Sequence, residues 1–158
     1  MKKRIIRSRA CYRDKNVAKP PIKAKCRVVL SGFNDPDLAD LQRNSPTTTR
    51  LSFYLLLQVF AAGFLCNEGR WKLASGDATA AFLQGQQSAR SEPLYMYPPK
   101  DPIIAKSGYW QDSEIYEVVG NIYGLVNAPY EWCMEVMRRM YDLGFVSHSL
   151  DVLSLIHI

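Results

Sequence analysis

Residues 71–85 read Trp71-Lys72-Leu73-Ala74-Ser75-Gly76-Asp77-Ala78-Thr79-Ala80-Ala81-Phe82-Leu83-Gln84-Gly85. The first seven are expected as a strand that ends on a carboxylate, and Ala78 to Gln84 as a helix stopped by Gly85. An acid at the C-terminal end of a strand, leading into a helix, is where open sheets place their chemistry. A lone Asp in that position also serves as a cap or turn residue, so the segments on either side decide its meaning.

Upstream, Leu51 to Cys66 is a 16-residue apolar stretch containing Gln58, preceded by Thr47, Thr48 and Thr49 and followed by Asn67-Glu68-Gly69. A capped helix from about Arg50 to Cys66 is expected there. It falls short of the roughly 20 residues of a membrane span and is read as buried, with no membrane partner. Ser45-Pro46 and Asn34-Asp35-Pro36-Asp37 mark turns, the second opening a short helix to Leu41. Further back, Ile22 to Phe33 places Lys23, Lys25 and Arg27 two apart, with Ala24, Cys26 and Val28 between them. That is the period of a half-exposed strand, with three cations along about 13 Å. A lysine-protected edge strand has the same pattern, so its function stays open at this point. Met1 to Pro21 is basic, ends in Pro20-Pro21, and is expected to be a mobile arm.

Downstream, Leu94 to Tyr97 is a strand halted by Pro98-Pro99, and Glu114 to Val119 is another. Asn127 caps a helix that carries Pro129 in its first turn and closes at Gly144. Trp132, Val136, Met140 and Leu143 recur along it as a core-facing stripe, and Glu135 pairs with Arg138 and Arg139 on its surface. Phe145 begins a further strand. Helices and strands mix without strict alternation, so the fold class is α+β.

The chain has 158 residues, 47% hydrophobic and 22% charged, a composition that excludes disorder and low complexity. Its net charge of +5 is uneven: Met1 to Arg27 hold 11 Lys or Arg against one acid, while the remainder holds 9 against 14. The four cysteines are 15, 40 and 67 positions apart and form no Cys-x-x-Cys pair. They are read as reduced, buried thiols. The basic N-terminus lacks an apolar signal-peptide segment, and an intracellular location, cytoplasmic or nuclear, is expected. The two histidines, His148 and His157, lie in the terminal stretch, which argues against Ser-His or Cys-His catalysis, and no glycine-rich phosphate loop is present.

Five blocks, taken in order, resemble the reverse transcriptase of copia-type retrotransposons. The family's Lys-Ala-Arg-Leu-Val strand and Gly-Phe pair match Lys23 to Val29 and Gly32-Phe33. Its Ser-Pro turn and apolar helix match Ser45-Pro46 and the stretch from Leu51. Asp-Val-Lys-Thr-Ala-Phe-Leu-x-Gly matches Asp77 to Gly85, and a Tyr-Met segment before proline matches Leu94 to Pro99. Leu-Tyr-Gly-Leu-Lys-Gln-Ala-Pro-x-x-Trp matches Ile122 to Trp132, followed by Leu143-Gly144-Phe145.

The resemblance implies an RNA-directed DNA polymerase, here the fingers and first half of the palm of a right-hand fold. It implies RNA or DNA template-primer and deoxynucleoside triphosphates as partners and two magnesium ions as cofactor, with carboxylate oxygens as ligands. Asp77 would be a catalytic metal ligand, with the Ala78 carbonyl beside it. Ala80 and Ala81 would admit the triphosphate to backbone N–H groups, and Phe82 would exclude a 2′-hydroxyl. Gly124 would pack near the nucleotide, and Lys23, Lys25 and Arg27 would touch template-primer phosphates.

The chain departs from the family at Ser31, Val126-Asn127 and Tyr130, where positive or amide side chains are usual, and contains no Tyr-x-Asp-Asp. The expected layout is an arm over 1–21, a partial polymerase domain over 22–151 and an unmatched tail over 152–158. Such a piece is expected to be inactive alone and to self-associate through uncovered apolar palm surface. The alternative is a non-catalytic nucleic-acid-binding module that works through the basic arm.

Overall fold

The computed structural model describes residues 4–157 except 18, 68, 87–89, 112, 149 and 150, and of residues 148 and 151–157 the strand backbone. Among the described residues seven strands and four α-helices occur: β1 (Ile5–Ile6), β2 (Ser8–Asp14), β3 (Ala24–Leu30), α1 (Arg50–Cys66), α2 (Ala81–Gln84), β4 (Tyr95–Met96), α3 (Pro102–Lys106), β5 (Tyr116–Glu117), α4 (Ala128–Asp142), β6 (Phe145–His148) and β7 (Asp151–His157). The α+β expectation holds. The chain forms two compact units, Met1–Asn44 with Ala81–Trp132, and Ser45–Ala80 with Cys133–Ile158.

The first unit is organised around β1. Ile5 and Ile6 pair in parallel with Tyr95 and Met96, which pair antiparallel with Glu117 and Tyr116. Ile6, Leu30, Leu94, Met96, Val118, Leu125 and Ala128 form its buried core. Immediately after β1 the chain runs into β2, which pairs antiparallel with β3 from Ser8↔Leu30 to Asp14↔Ala24. The expected mobile arm is therefore a correction: residues 5–14 supply a core strand and half of a ribbon. Ile5-Ile6 supplies apolar surface that a solvated arm would leave wet, and the cations beyond it alternate with residues able to pair. Lys2 and Lys3 lie outside the described residues.

A four-charge cluster ties three segments of this unit together. Arg4 forms a bidentate pair with Asp37 at 2.8 and 2.7 Å and donates to the carbonyls of Pro93 and Glu92. Arg90 grips both oxygens of Asp35 at 2.9 and 2.8 Å and reaches Asp37 at 2.7 Å. The Arg4 guanidinium foremost, and Arg90 after it, hold the Asp37 carboxyl down to about 2. Because that value lies below the ordinary carboxylate range, the pairing stabilises the fold above pH 4 and is lost as pH falls from about 4 to about 2, a contribution of about 2 kcal/mol. Acid titration followed by circular dichroism should show this loss, and Asp37→Asn should flatten the curve in that window. An unchanged acid limb in the variant would refute it.

The second unit holds α1, most of α4 and the β6–β7 hairpin. Thr49 caps α1 by accepting from the Ser52 N–H at 3.0 Å, as the threonine run predicts. The expected burial of α1 fails, since no residue of the helix is buried. Its apolar side chains surround the whole circumference, and the 62 residues of this unit are too few to enclose it. On α4, Glu135 pairs with Arg138 and Arg139 at 2.9 and 2.6 Å. Met137 is buried, while Leu143, expected in the core stripe, is exposed.

Other expectations are trimmed. Residues 37–41 form a hydrogen-bonded turn and not a helix. The strands expected over 94–97 and 114–119 shrink to two residues each. Residues 151–157, expected largely as an unmatched tail, pair with β6. All four cysteines are free thiols, as expected, but Cys26 and Cys66 are exposed and none is buried. Among the described residues no helix is long and apolar enough to cross a membrane.

Candidate nucleotide and nucleic-acid site

The Asp77 motif does not take its expected strand-to-helix form. Residues 71–78 lie in neither helix nor strand, and the helix is confined to Ala81–Gln84. A strand exists only beside a partner, and none of the described strands pairs with 71–77. Asp77 and Ala78 are exposed, and among the described residues no hydrogen bond or ion pair engages the Asp77 carboxylate. Ala80 closes the stretch with φ 53°, a left-handed conformation that is unfavourable for alanine by about 1–2 kcal/mol. The boundary between the two units falls between Ala80 and Ala81, so the motif is divided between them.

In the first unit, Ala81 is half-buried and Phe82 is exposed. Gly85 ends the motif in a space with no room for a side chain: a Cβ would come within 2.8–2.9 Å of the Trp132 nitrogen, the Asn121 Nδ2 and the Glu131 carbonyl carbon. The Asn121 amide, buried, donates to the carbonyls of Gly85 and Gln86 at 3.0 and 3.2 Å. Asn121 thereby ties the end of one sequence motif to the start of another, a link that no spacing pattern signalled.

The Ile122–Trp132 block docks against the end of β3. The Leu30 N–H donates to the Tyr123 carbonyl at 2.8 Å. Gly124 sits at φ 92° with its backbone against Leu30, and a Cβ on Gly32 would overlap the Gly124 carbonyl oxygen. The two glycines are therefore a close backbone contact between the first and last blocks of the resemblance. The Arg27 guanidinium lies over the Tyr123 ring, 5.5 Å from its centroid. Lys25 and Arg27 are half-buried and Lys23 is exposed. The structure thus seats Arg27 on the loop that carries Gly124, in the unit that also holds Lys25, while Asp77, Ala78 and Ala80 belong to the second.

Among the described residues no group of three or more His, Cys, Asp or Glu side chains comes together to hold a metal. Asp77 alone is one hard ligand, and a pair of magnesium ions needs several carboxylate oxygens. The donor set does not fit two metals.

A family model for reverse transcriptase (RNA-dependent DNA polymerase) matches residues 1–154. The chain belongs to the reverse transcriptase family. Two relatives from Arabidopsis thaliana, the retrovirus-related Pol polyproteins from transposons RE1 and RE2, are each 27% identical to it over 128 residues. Those residues are 80% of this chain and 8% of each polyprotein, so the chain corresponds to a small part of the relatives it matches. No solved structure gives a significant match. The copia-type resemblance carried by the five blocks agrees with these relatives, and the family match takes in β1 and β2 as well as the blocks from Lys23 onward.

Proposed function

We propose that this chain is the fingers and first palm half of a copia-type reverse transcriptase, which extends a primer on an RNA or DNA template. The observation that carries the reading is the family match over nearly the whole chain, together with the packing of its separated motifs, Gly32 on Gly124 and Gly85 on Asn121, in one unit. In this reading Asp77 is the first magnesium ligand, with the Ala78 carbonyl beside it. Ala80 and Ala81 face the triphosphate of the incoming deoxynucleotide, Phe82 faces its sugar, and Gly124 lies near the base. Lys23, Lys25 and Arg27 contact template-primer phosphates. The 158 residues contain no Tyr-x-Asp-Asp, so the isolated chain lacks ligands for a two-metal centre and is inactive alone. Self-association through uncovered apolar palm surface belongs to the same reading.

Two assays test it. The purified chain should show no template-directed incorporation of labelled deoxynucleotides. When the chain replaces the corresponding stretch of a complete copia-type reverse transcriptase, the chimera should incorporate them, and Asp77→Asn should bring incorporation to background. A chimera equally active with asparagine at 77 would remove Asp77 from the metal centre. The second reading, a non-catalytic nucleic-acid-binding module, is favoured by the exposed cations of β2, and predicts binding without incorporation in both contexts.

A further inference from the structure

We propose that the β2–β3 ribbon carries a binding surface for the phosphate backbone of a nucleic-acid strand, built jointly from Arg9 and Arg13 of β2 and Lys25 and Arg27 of β3. The inference rests on the nucleic-acid reading above and extends it to a strand outside all five sequence blocks. In an antiparallel pair, residues directly opposite each other project from the same face. The register opposes Arg9 to Val29, Cys11 to Arg27 and Arg13 to Lys25. Four cations therefore share one face. Lys15 and Lys23 come next in line, joined by the Lys15 N–H to the Lys23 carbonyl at 2.9 Å.

The opposite face has different work. Ser8 donates to the Tyr97 carbonyl at 2.6 Å, and the Tyr12 hydroxyl donates to Asp101 at 2.7 Å. That face is held on the segment 97–101. The one acid of the ribbon, Asp14, projects with Ser8 and Tyr12, and its Oδ1 accepts from the N–H groups of Asn16 and Lys23. The cationic face thus carries no carboxylate of its own.

Two observations separate this surface from an edge strand kept soluble by lysine. First, Arg13 lies directly opposite Lys25, and like charges in that position destabilise a ribbon. A phosphate between them removes the repulsion. Second, Arg27 is seated on the Tyr123 ring, which fixes its guanidinium at the base of the face. Arg4, Arg90, Arg138 and Arg139, by contrast, are paired with carboxylates. Arg9 and Arg13 are exposed and, among the described residues, have no such partner. From Arg9 to Arg13 the ribbon covers about 13 Å, which matches about four phosphates of a strand that rises 3.4 Å per nucleotide. None of these contacts reads a base, so the surface takes any sequence.

The test is fluorescence anisotropy of the full 158-residue chain with a labelled 20-nucleotide single strand, and with a duplex of equal length, from 50 to 200 mM salt. For four phosphates on a single strand, log K should fall with log salt at a slope of about −2.8, an approximately 50-fold weakening over that range. Arg9→Gln with Arg13→Gln should bring the slope to about −1.4 and the weakening to about 7-fold. Arg43→Gln with Lys106→Gln, the same charge change outside the ribbon, should leave the slope alone. Loss of slope on either nucleic-acid form supports the surface. An unchanged slope in the Arg9 and Arg13 variant, with a reduced one in Lys25→Gln with Arg27→Gln, overturns the two-stranded surface and leaves the reverse transcriptase reading standing. Unchanged slopes in both overturn the surface and the template contact of β3 together. Should far-ultraviolet dichroism show the Arg9 and Arg13 variant unfolded, Arg9→Gln alone reads the surface, with a slope expected at about −2.1 and an unchanged slope overturning it.

Discussion

Gly124→Ala is expected to cost the fold about 2–5 kcal/mol, a large share of its stability. At φ 92° an L-residue side chain is strained by about 1–2 kcal/mol before any contact is considered. The added methyl would overlap the Leu30 carbonyl oxygen and approach Val29 Cγ1 and the Leu30 nitrogen to 2.8 and 2.9 Å. Cβ is fixed by the backbone, so no rotamer relieves the clash, and the 123–125 loop has to retreat from β3. Retreat breaks the bond from the Leu30 N–H to the Tyr123 carbonyl and loosens the packing of Leu30 and Leu125, both core residues. Overpacking of this kind adds about 1–3 kcal/mol, against a total stability of about 5–15 kcal/mol for a whole domain. Urea denaturation followed by dichroism measures the loss. Gly120→Ala, where a Cβ meets nothing within 4 Å, is the control and should be within about 0.5 kcal/mol of the parent. A Gly124→Ala variant as stable as that control would refute the close contact.

Arg90→Met is expected to cost about 3–5 kcal/mol, because it strands a buried charge. The Asp35 side chain is 0% exposed and Arg90 is its cation, itself 6% exposed. Asp37 keeps Arg4 after the substitution, whereas Asp35, among the described residues, keeps only the N–H of Asp37, at 3.0 Å. Burying an uncompensated carboxylate is the dominant penalty, and removing the charge should remove most of it. Asp35→Asn added to Arg90→Met should therefore recover about 2 kcal/mol, since an amide oxygen still accepts from Asp37. A double variant no more stable than Arg90→Met alone would mean that packing, and not charge, explains the loss.

The elements whose signals are local were legible in the sequence. The Thr49 cap, the seventeen residues of α1, the helix over Ala128–Asp142 and the Glu135 pairs all follow from spacings within a few residues. Elements that depend on a distant partner were not. Residues 71–77 have a strand's composition but no strand beside them, and 5–14 look like a basic arm until Ile6 is paired with Met96 and Arg13 with Lys25. The period-two spacing of Arg7, Arg9, Arg13 and Lys15 was visible, yet high charge density obscured it. The candidate site was legible as motifs and not as geometry. Arg27 was found from its alternation with Cys26 and Val28, but its seat on Tyr123 and the role of Asn121 arise only when residues some ninety and thirty-five positions apart meet. The apolar run of α1 reads as buried in the sequence because composition reports what a side chain prefers and not what covers it.

The isolation of Asp77 also bears on how a substitution there would show itself. Gly32 and Gly124 are guarded by folding itself, since a mutation at either damages the protein wherever the gene is still translated. Asp77, exposed and bonded to nothing among the described residues, has no such guardian. On the proposed role of Asp77, a variant that loses this carboxylate keeps its fold, so a stability measurement passes over it and an assay of synthesis is needed to see it. Intact glycines in a genomic relative therefore testify to a chain that folds, and give no testimony about one that polymerises.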